Sequence, residues 1–305
     1  MTSTARSEQL PYDPTAPLTP SGNLRRRLIV SRIARGIAVA AAFAAVAVLA
    51  IVVFDVIKSG ASALNLDFLI QDPPAFGGPG GGIRSAIIGS AIIVALAAVI
   101  AVPVGVLIAI YMTEFARPRS RLAGTLRVGL DLLQGVPSIV IGIFILGLIT
   151  QPLHKDTGVA GSVALAIIML PLVARSTQEV LRLVPANMRE ASDALGVDRW
   201  RSIITVIVPT ALGGIVTGSI LAVARAAGET APLLVNDSTF GPHVTFNWFG
   251  PMPNIPVLIL TASDSLNPAG FPRAWGAALV LLVLILIANV GARFLLARSK
   301  RKLTG

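Results

Sequence analysis

Long apolar stretches free of Asp, Glu, Lys and Arg alternate with shorter polar segments along the chain. A helix needs about 20 mostly apolar residues to cross the hydrocarbon core of a bilayer. Six stretches are long enough to do so: residues 36–54, 85–113, 132–153, 157–174, 202–224 and 274–292. The pattern therefore predicts an all-α integral membrane protein with six transmembrane helices.

A seventh apolar run, residues 255–262, is too short to span a bilayer. It is predicted to be a re-entrant or interfacial piece, or a segment packed within the protein. The membrane domain as a whole, including this run, is predicted to cover residues 36–298.

The two ends of the chain are predicted to be basic tails. Residues 1–35 are expected to be disordered, because the first 24 are polar, carry four prolines and show no hydrophobic periodicity. A cleaved signal peptide is the alternative, but the apolar run after Arg35 exceeds the roughly 7–15 residues of a signal core. Residues 299–305 form the second tail.

The distribution of basic residues predicts the orientation. If both ends are cytoplasmic, the tails and the loops at 117–127 and 175–201 hold 20 of the 25 Lys and Arg residues. Cytoplasmic loops are enriched in these residues. We therefore expect a multi-pass protein with both termini in the cytoplasm.

Composition narrows the function classes. Charged residues make up 13% of the chain, against about 25% in soluble domains, and the mean hydropathy is +0.79. The net charge of +10 follows from loop topology, so nucleic-acid binding is not expected. The chain has no cysteine, and its two histidines, His154 and His243, are far apart, which argues against a metal site.

Several chemistries lack their motifs. The glycine-rich run at 77–82 is predicted to be a flexible outer loop, since no lysine in the chain follows a glycine as a Walker A motif requires. An intramembrane enzyme is disfavoured because His-Glu-x-x-His and Gly-x-Ser-x-Gly are missing. A channel is disfavoured because no charge ring can be identified in the sequence. A secondary transporter is disfavoured because no convincing internal repeat is found.

The cytoplasmic segment 186–209 carries a pattern with fixed spacing. It reads Glu-Ala-Ser, three residues, Gly, nine residues, Val, one residue, Val-Pro, at Glu190, Ala191, Ser192, Gly196, Val206, Val208 and Pro209. This resembles the EAA loop of ABC importer permeases, which has Glu-Ala-Ala, Gly, Ile and Leu-Pro at the same spacing. Ser192 and the two valines are mild departures.

The same segment is predicted to form a short amphipathic helix. Met188, Ala191 and Leu195 share one face, and Gly196 suits the left-handed turn that ends many helices. Such a helix can dock on a soluble partner or lie on lipid. The resemblance favours docking on an ATPase, with Met188, Glu190, Ala191, Ser192, Leu195 and Gly196 as coupling residues.

Three more segments narrow the resemblance. They are Ala-Arg-Ala-Ala-Gly-Glu-Thr-Ala-Pro-Leu-Leu at 224–234, Leu-Leu-Gln-Gly-Val-Pro-Ser-Ile-Val-Ile-Gly at 132–142, and Val-Pro-Val-Gly-Val at 102–106 with Ala-Ile-Tyr after it. From about residue 85 to residue 292 the chain resembles the PstA family of phosphate ABC importer permeases. An ABC permease for another oxyanion, molybdate or sulfate, is the alternative.

The resemblance implies a fold, a location and partners. The fold is that of type I ABC importer permeases (MetI/MalF-like), and the location is the bacterial inner (plasma) membrane. The expected partners are a homologous permease, PstC, two copies of the ATPase PstB, and the phosphate-binding protein PstS. ATP and magnesium then bind to the ATPase, and this chain needs no cofactor and is not itself an enzyme.

Arg225 is the first candidate for the phosphate pathway. It follows a long charge-free run, and a guanidinium suits an oxyanion because its donors reach two oxygens. Ionisable residues near membrane depth are often functional. The alternative is an arginine that anchors the outer helix end by snorkelling. The resemblance favours the transport role.

Glu229 and Arg175 are the other pathway candidates. If the helix continues, Glu229 lies one turn after Arg225 and can neutralise it until phosphate displaces the carboxylate. Arg175 ends the predicted fourth span, where an ordinary positive-inside anchor is the alternative. The resemblance links Arg175 to transport.

Other residues have mainly structural interpretations. Gly214 and Gly218 form a Gly-x-x-x-Gly pattern, which permits close approach of helices. Arg84, Lys155 and Arg273 lie at the predicted outer edge, as contacts for the binding protein or as solvated charges.

Overall fold

A computed structural model describes residues 23–74, 80–117, 119–237, 243–265 and 270–303. All regular secondary structure in these ranges is helical. The α-helices are α1 (Asn23–Gly60), α2 (Leu66–Ile70), α3 (Arg84–Ile110), α4 (Arg121–Gly135), α5 (Ser138–Ile145), α6 (Gln151–Leu153), α7 (Gly158–Arg182), α8 (Ala186–Ala194), α9 (Arg199–Ser202), α10 (Val208–Ala226), α11 (Ala231–Asn236), α12 (Ile255–Ser263) and α13 (Gly270–Leu303). Single π-helical turns at Tyr111–Phe115, Leu146–Thr150 and Ile203–Ile207 extend α3, join α5 to α6 and join α9 to α10.

Five helical stretches are long and apolar enough to cross a membrane: Leu24–Ala63, Arg84–Phe115, Gly158–Arg182, Arg199–Ala226 and Gly270–Gly291. A sixth span is reached when the bent pair Arg121–Gly135 and Ser138–Leu153 is counted as one. The predicted all-α membrane architecture is thus confirmed.

The third predicted span, residues 132–153, is not one continuous helix. The chain bends by 104° between α4 and α5. Val136 and Pro137 have extended ψ values of 128° and 135° there. Proline lacks the N–H that a helix interior needs and disfavours helical backbone at the preceding residue, so the helix stops and restarts.

The helices at both ends run further than predicted. α1 begins at Asn23, so residues 23–35 of the predicted disordered tail are helical, and residues 1–22 lie outside the described residues. This stretch is rich in Arg, Leu and Ile and contains no proline, which permits helix. α13 likewise continues past residue 298 to Leu303.

The chain divides into two compact units, Met1–Asp55 and Val56–Gly305. The described part of the first unit is helix, with arginines followed by a long apolar run. The second unit contains the remaining helices, and the sites discussed below all lie within it.

α7 is the central helix of the second unit and packs against α3, α10, α4, α5 and α11. Its closest neighbour is α3, where Gly105 lies so near α7 that a Cβ there would come within 2.8 Å of Val173. Small residues let helix backbones approach, and close packing supplies most of the attraction between helices in a membrane.

The short apolar run 255–262 forms α12, which is buried against α13 and α3. The side chain of Asn254 caps its first turn by accepting a hydrogen bond from the N–H of Val257 at 3.0 Å. Of the interpretations offered for this run, the structure supports a segment packed within the protein.

Gly214 and Gly218 bring α10 close to α7, as their spacing predicts. A Cβ at Gly214 would lie 2.4 Å from Val180, and one at Gly218 would lie 2.3 Å from Ser176 Oγ. Gly129 on α4, in contrast, has nothing within 4 Å of its Cβ position.

We expect Gly214→Ala and Gly218→Ala each to lower the free energy of unfolding by about 1–3 kcal/mol, because the added methyl overpacks the interface of α10 with α7. Gly129→Ala is the matched control and is expected to raise it by up to about 1 kcal/mol, because alanine favours helix. Denaturation of the purified protein in detergent measures both. Equal effects at all three positions would contradict the packing argument.

Candidate functional site

A cavity of about 570 Å³ lies between the bend of α4 and α5, the middle of α7 and the end of α10. Its polar and charged lining residues include Gln134, Ser138, Arg225 and Glu229. Two of the segments singled out above, 132–142 and 224–234, therefore meet at one place although they are far apart in sequence.

The bend supplies two polar residues that sequence reasoning did not assign to the site, Gln134 and Ser138. Gln134 precedes the break, and Ser138 begins α5 with no side-chain cap on that helix end. The N-terminal end of a helix carries a partial positive charge and free N–H groups, which favour anions. A proline within an apolar run, flanked by polar residues, is the signal that could have identified them.

Arg225 lies in the last turn of α10, which ends at Ala226. The chain then turns, and the N–H of Glu229 donates to the carbonyl of Ala226 at 3.1 Å. The helix therefore does not continue to Glu229, as an i,i+4 contact with Arg225 would require. Among the described residues, Arg225 and Glu229 line the same cavity without forming an ion pair.

The cavity offers complementary groups to an oxyanion. The guanidinium of Arg225, the amide of Gln134, the hydroxyl of Ser138 and the start of α5 can all donate hydrogen bonds. Glu229, when ionised, has no hydrogen-bond donor and can only accept. Among the described residues, no group of three or more His, Cys, Asp or Glu side chains is arranged to hold a metal ion.

Arg175 does not line this cavity. Its guanidinium forms an ion pair with Asp131 on α4 and reaches the carbonyl of Arg127 at 3.4 Å. Pro171 and Leu172, about one turn earlier on α7, do line the cavity. Arg175 thus lies next to the cavity, on the side towards the end of α7, and holds α4 against α7.

Asn236 fixes the wall formed by α11 and α5. Its amide donates to the carbonyls of Gly142 at 2.9 Å and Pro232 at 3.0 Å, and its side-chain oxygen accepts from the hydroxyl of Thr150 at 2.8 Å. Asn236 is fully buried. Buried polar groups with all their partners present rigidify a structure, so this residue holds the segment after Glu229 in place.

Asp237 is a fully buried carboxyl group next to this network. Its Oδ1 accepts from the N–H of Met252 at 2.7 Å, whereas Oδ2 has no hydrogen-bond partner among the described residues. Burial, against the lowering effect of the Met252 hydrogen bond and with a smaller contribution from the charge of Asp156, raises the pKa of Asp237 to about 7.

The predicted docking helix is α8, with Gly196 directly beyond it at φ +68°. The predicted amphipathic helix and its left-handed end are both present. Met188, Glu190, Ala191 and Leu195 are exposed, and Leu195 is 81% exposed.

Ser192 differs from the other predicted coupling residues because it is only 7% exposed. It shares a face of α8 with Met188, four residues earlier, but its own side chain packs within this chain. A small residue fits this position because α8 lies close to the rest of the protein there.

The outer-edge arginines are engaged within the chain. Arg84 pairs with Asp72 at 2.7 Å, and Arg273 is 7% exposed and donates to the carbonyl of Gly80 at 2.8 Å. Arg273 is therefore not the exposed charge that was expected. Of the glycine-rich run, residues 77–79 lie outside the described residues.

Residues 101–301 match the family model for the binding-protein-dependent transport system inner membrane component. The phosphate transport system permease protein PstA of Pasteurella multocida is 37% identical over 252 residues, which cover 82% of this chain and 88% of that protein. PstA 1 of Mycobacterium tuberculosis strain H37Rv is 40% identical over 226 residues, covering 72% of each.

Among solved structures, an inward-facing MetNI methionine ABC transporter matches with a TM-score of 0.55 and 18% identity. The match covers 71% of this chain and 94% of that chain. It shows that the fold is that of type I ABC importer permeases.

The buried carboxyl of Asp237 predicts a pH dependence of stability. Its pKa is about 7 in the folded state against an ordinary 3.8, so the folded protein binds this proton more tightly. The stabilisation is complete below pH 3.8 and is lost as the pH rises through 7.

Between pH 6 and pH 8 we expect Asp237 to remove about 1 kcal/mol from the free energy of unfolding. Asp237→Asn should show a correspondingly smaller fall when thermal unfolding in detergent is followed at both pH values. Asp264→Asn, the same change at an exposed aspartate after α12, serves as the control. An identical fall in wild type and Asp237→Asn would exclude this carboxyl as the cause.

Proposed function

Because this chain belongs to the family of binding-protein-dependent inner membrane permeases, and among them to the PstA proteins, we propose that it is a transmembrane subunit of an ATP-driven importer of inorganic phosphate. One observation supports a specific phosphate site. Arg225 lies in one cavity with the uncapped start of α5 and with Gln134 and Ser138.

Inorganic phosphate suits this set of groups. It is small, negatively charged and rich in acceptor oxygens, and arginine binds such oxygens with two parallel donors. Ser138 and Gln134 add neutral donors, and Glu229 can accept a hydrogen bond from a phosphate oxygen that carries a proton. The relatives named above are phosphate permeases, so the molybdate and sulfate alternatives are not favoured.

The partners in this proposal are those of a phosphate ABC importer. A homologous permease, PstC, completes the translocation path, the binding protein PstS delivers phosphate from outside, and two PstB subunits hydrolyse ATP. The exposed face of α8 is the docking surface for PstB, and both termini are cytoplasmic. The position of α8 between α7 and α9, with Met188, Glu190, Ala191 and Leu195 exposed, supports this role.

Transport in this proposal is by alternating access. With the ATPases apart the path opens to the cytoplasm, and ATP-driven closure opens it to the outside, where phosphate reaches Arg225. Hydrolysis then restores the inward state. Arg175, which lies beside the cavity next to Asp131, is the following cation on the route towards the cytoplasm.

Uptake of radiolabelled phosphate at low external concentration tests the site. In cells that lack this gene, wild type should restore uptake, and Arg225→Gln should lower it at least about tenfold, because a charge-assisted hydrogen bond is lost. Arg121→Gln removes an exposed arginine at the start of α4 and should leave uptake unchanged.

As a control, immunoblots of membrane fractions should show that all three proteins reach the membrane in equal amounts. Full uptake by Arg225→Gln would return Arg225 to the role of a helix anchor. Sulfate or molybdate uptake in place of phosphate would refute the substrate assignment.

The orientation of α8 can be tested with thiol chemistry, because the chain has no cysteine. We expect Leu195→Cys to react with a membrane-impermeant maleimide only from the cytoplasmic side, and addition of the ATPase to protect it. Phe246→Cys, 72% exposed in the wild-type structure, should react only from outside. Labelling of both from the same side would contradict the proposed topology.

A further inference from the structure

We propose that Glu114 and Arg189 form the linkage through which α8 moves α3 and α7, so that ATPase closure reaches the translocation cavity. Both are positioning residues, and the inference rests on the proposed role of α8 in docking an ATPase. Nothing in the EAA spacing marks either residue, because Arg189 precedes the Glu190 of that pattern and Glu114 lies on another helix.

Glu114 is a buried carboxylate at the end of the second span. It is 3% exposed and lies in the π-helical turn that extends α3. Arg189, on α8, donates to both of its oxygens, with Nη2 to Oε1 at 2.8 Å and Nε to Oε2 at 3.3 Å. This two-bond geometry fixes the orientation of both side chains as well as their separation.

Arg189 also binds the end of α7. Nη1 donates to the carbonyl of Val184 at 2.7 Å and Nη2 to that of Leu181 at 2.9 Å. The carbonyls at a helix C-terminus lack partners within the helix and favour a cation. One guanidinium therefore joins α8, α3 and the end of α7.

The next residue on α3, Phe115, contacts the other side of the same loop. Its ring lies 5.9 Å from that of Trp200 on α9, and the guanidinium carbon of Arg199 lies 5.9 Å from the centre of the Phe115 ring. Glu114 and Phe115, two consecutive residues of the turn that extends α3, are thus held by α8 and α9 respectively. The end of α3 must follow when this loop moves.

The route continues to the cavity through α7. α3 packs along α7, and Ile168, Pro171 and Leu172 of α7 line the cavity with Arg225. Separating Arg189 from Glu114 would leave a buried carboxylate without a counter-charge, which is strongly unfavourable. The pair therefore keeps α8 and the transmembrane helices together during closure, whereas a hydrophobic contact could slide.

The number of phosphate ions transported per ATP hydrolysed tests the linkage. We would measure it in proteoliposomes that contain the whole importer, with wild type, Glu114→Gln, Arg189→Gln and the double variant. Each single variant should lower this ratio about tenfold, and the double variant should lower it no further, because both changes break one linkage. Glu179→Gln, the same change at an exposed glutamate of α7, should leave the ratio at the wild-type value.

Arg189→Lys guards against loss of folding, because it keeps a positive charge opposite Glu114. Lysine lacks the planar fork that reaches both carboxylate oxygens and two carbonyls, so an intermediate ratio is expected. An unchanged ratio in the single variants and in Arg189→Lys would overturn the linkage. Additive losses in the double variant would overturn it as well, because the two residues would then act independently.

The linkage and the proposed function fail in different ways. A wild-type importer that hydrolyses ATP without transporting phosphate would refute the phosphate assignment. A wild-type importer that transports phosphate, with variants that match its ratio, would refute only the linkage.

Discussion

Backbone polar groups need hydrogen-bond partners at membrane depth, and the break at Pro137 places several of them where no helix can satisfy them. The surrounding protein encloses the break. Asn236 binds the carbonyl of Gly142, and α11 packs so closely on α5 that a Cβ at Gly142 would lie 2.9 Å from Pro232. The cavity with Arg225 exists because the helix stops there, and the buried amide on α11 keeps the resulting gap in one shape.

Charged side chains within the second unit join helices to one another as well as lining the cavity. The pair of Arg175 with Asp131 joins α7 to α4, and the pair of Arg189 with Glu114 joins α8 to α3. Both arginines also donate to backbone carbonyls, which a lysine could not do with the same geometry. α7 takes part in both arrangements, since Arg175 lies on it and its Leu181 carbonyl accepts from Arg189, and its residues Pro171 and Leu172 line the cavity.

Much of this architecture follows from local sequence. Apolar runs of spanning length give the helices, Gly196 gives the end of α8, and Gly214 with Gly218 gives the contact of α10 with α7, because each depends on neighbouring residues only. Hydropathy does not show the break within residues 132–153 because it ignores backbone geometry, although Pro137 lies at the break. The pairing of Arg189 with Glu114 joins residues 75 positions apart, which one sequence does not reveal.

The position of Arg189 on α8 sets a rule for how this loop can diverge. Each residue of an α-helix turns the next by about 100°, so one residue inserted within α8 before Arg189 would point the guanidinium away from Glu114. Exposed positions such as Leu195 carry no such constraint. The outward surface of α8 can therefore change in sequence without disturbing this ion pair, whereas the number of α8 residues before Arg189 cannot change.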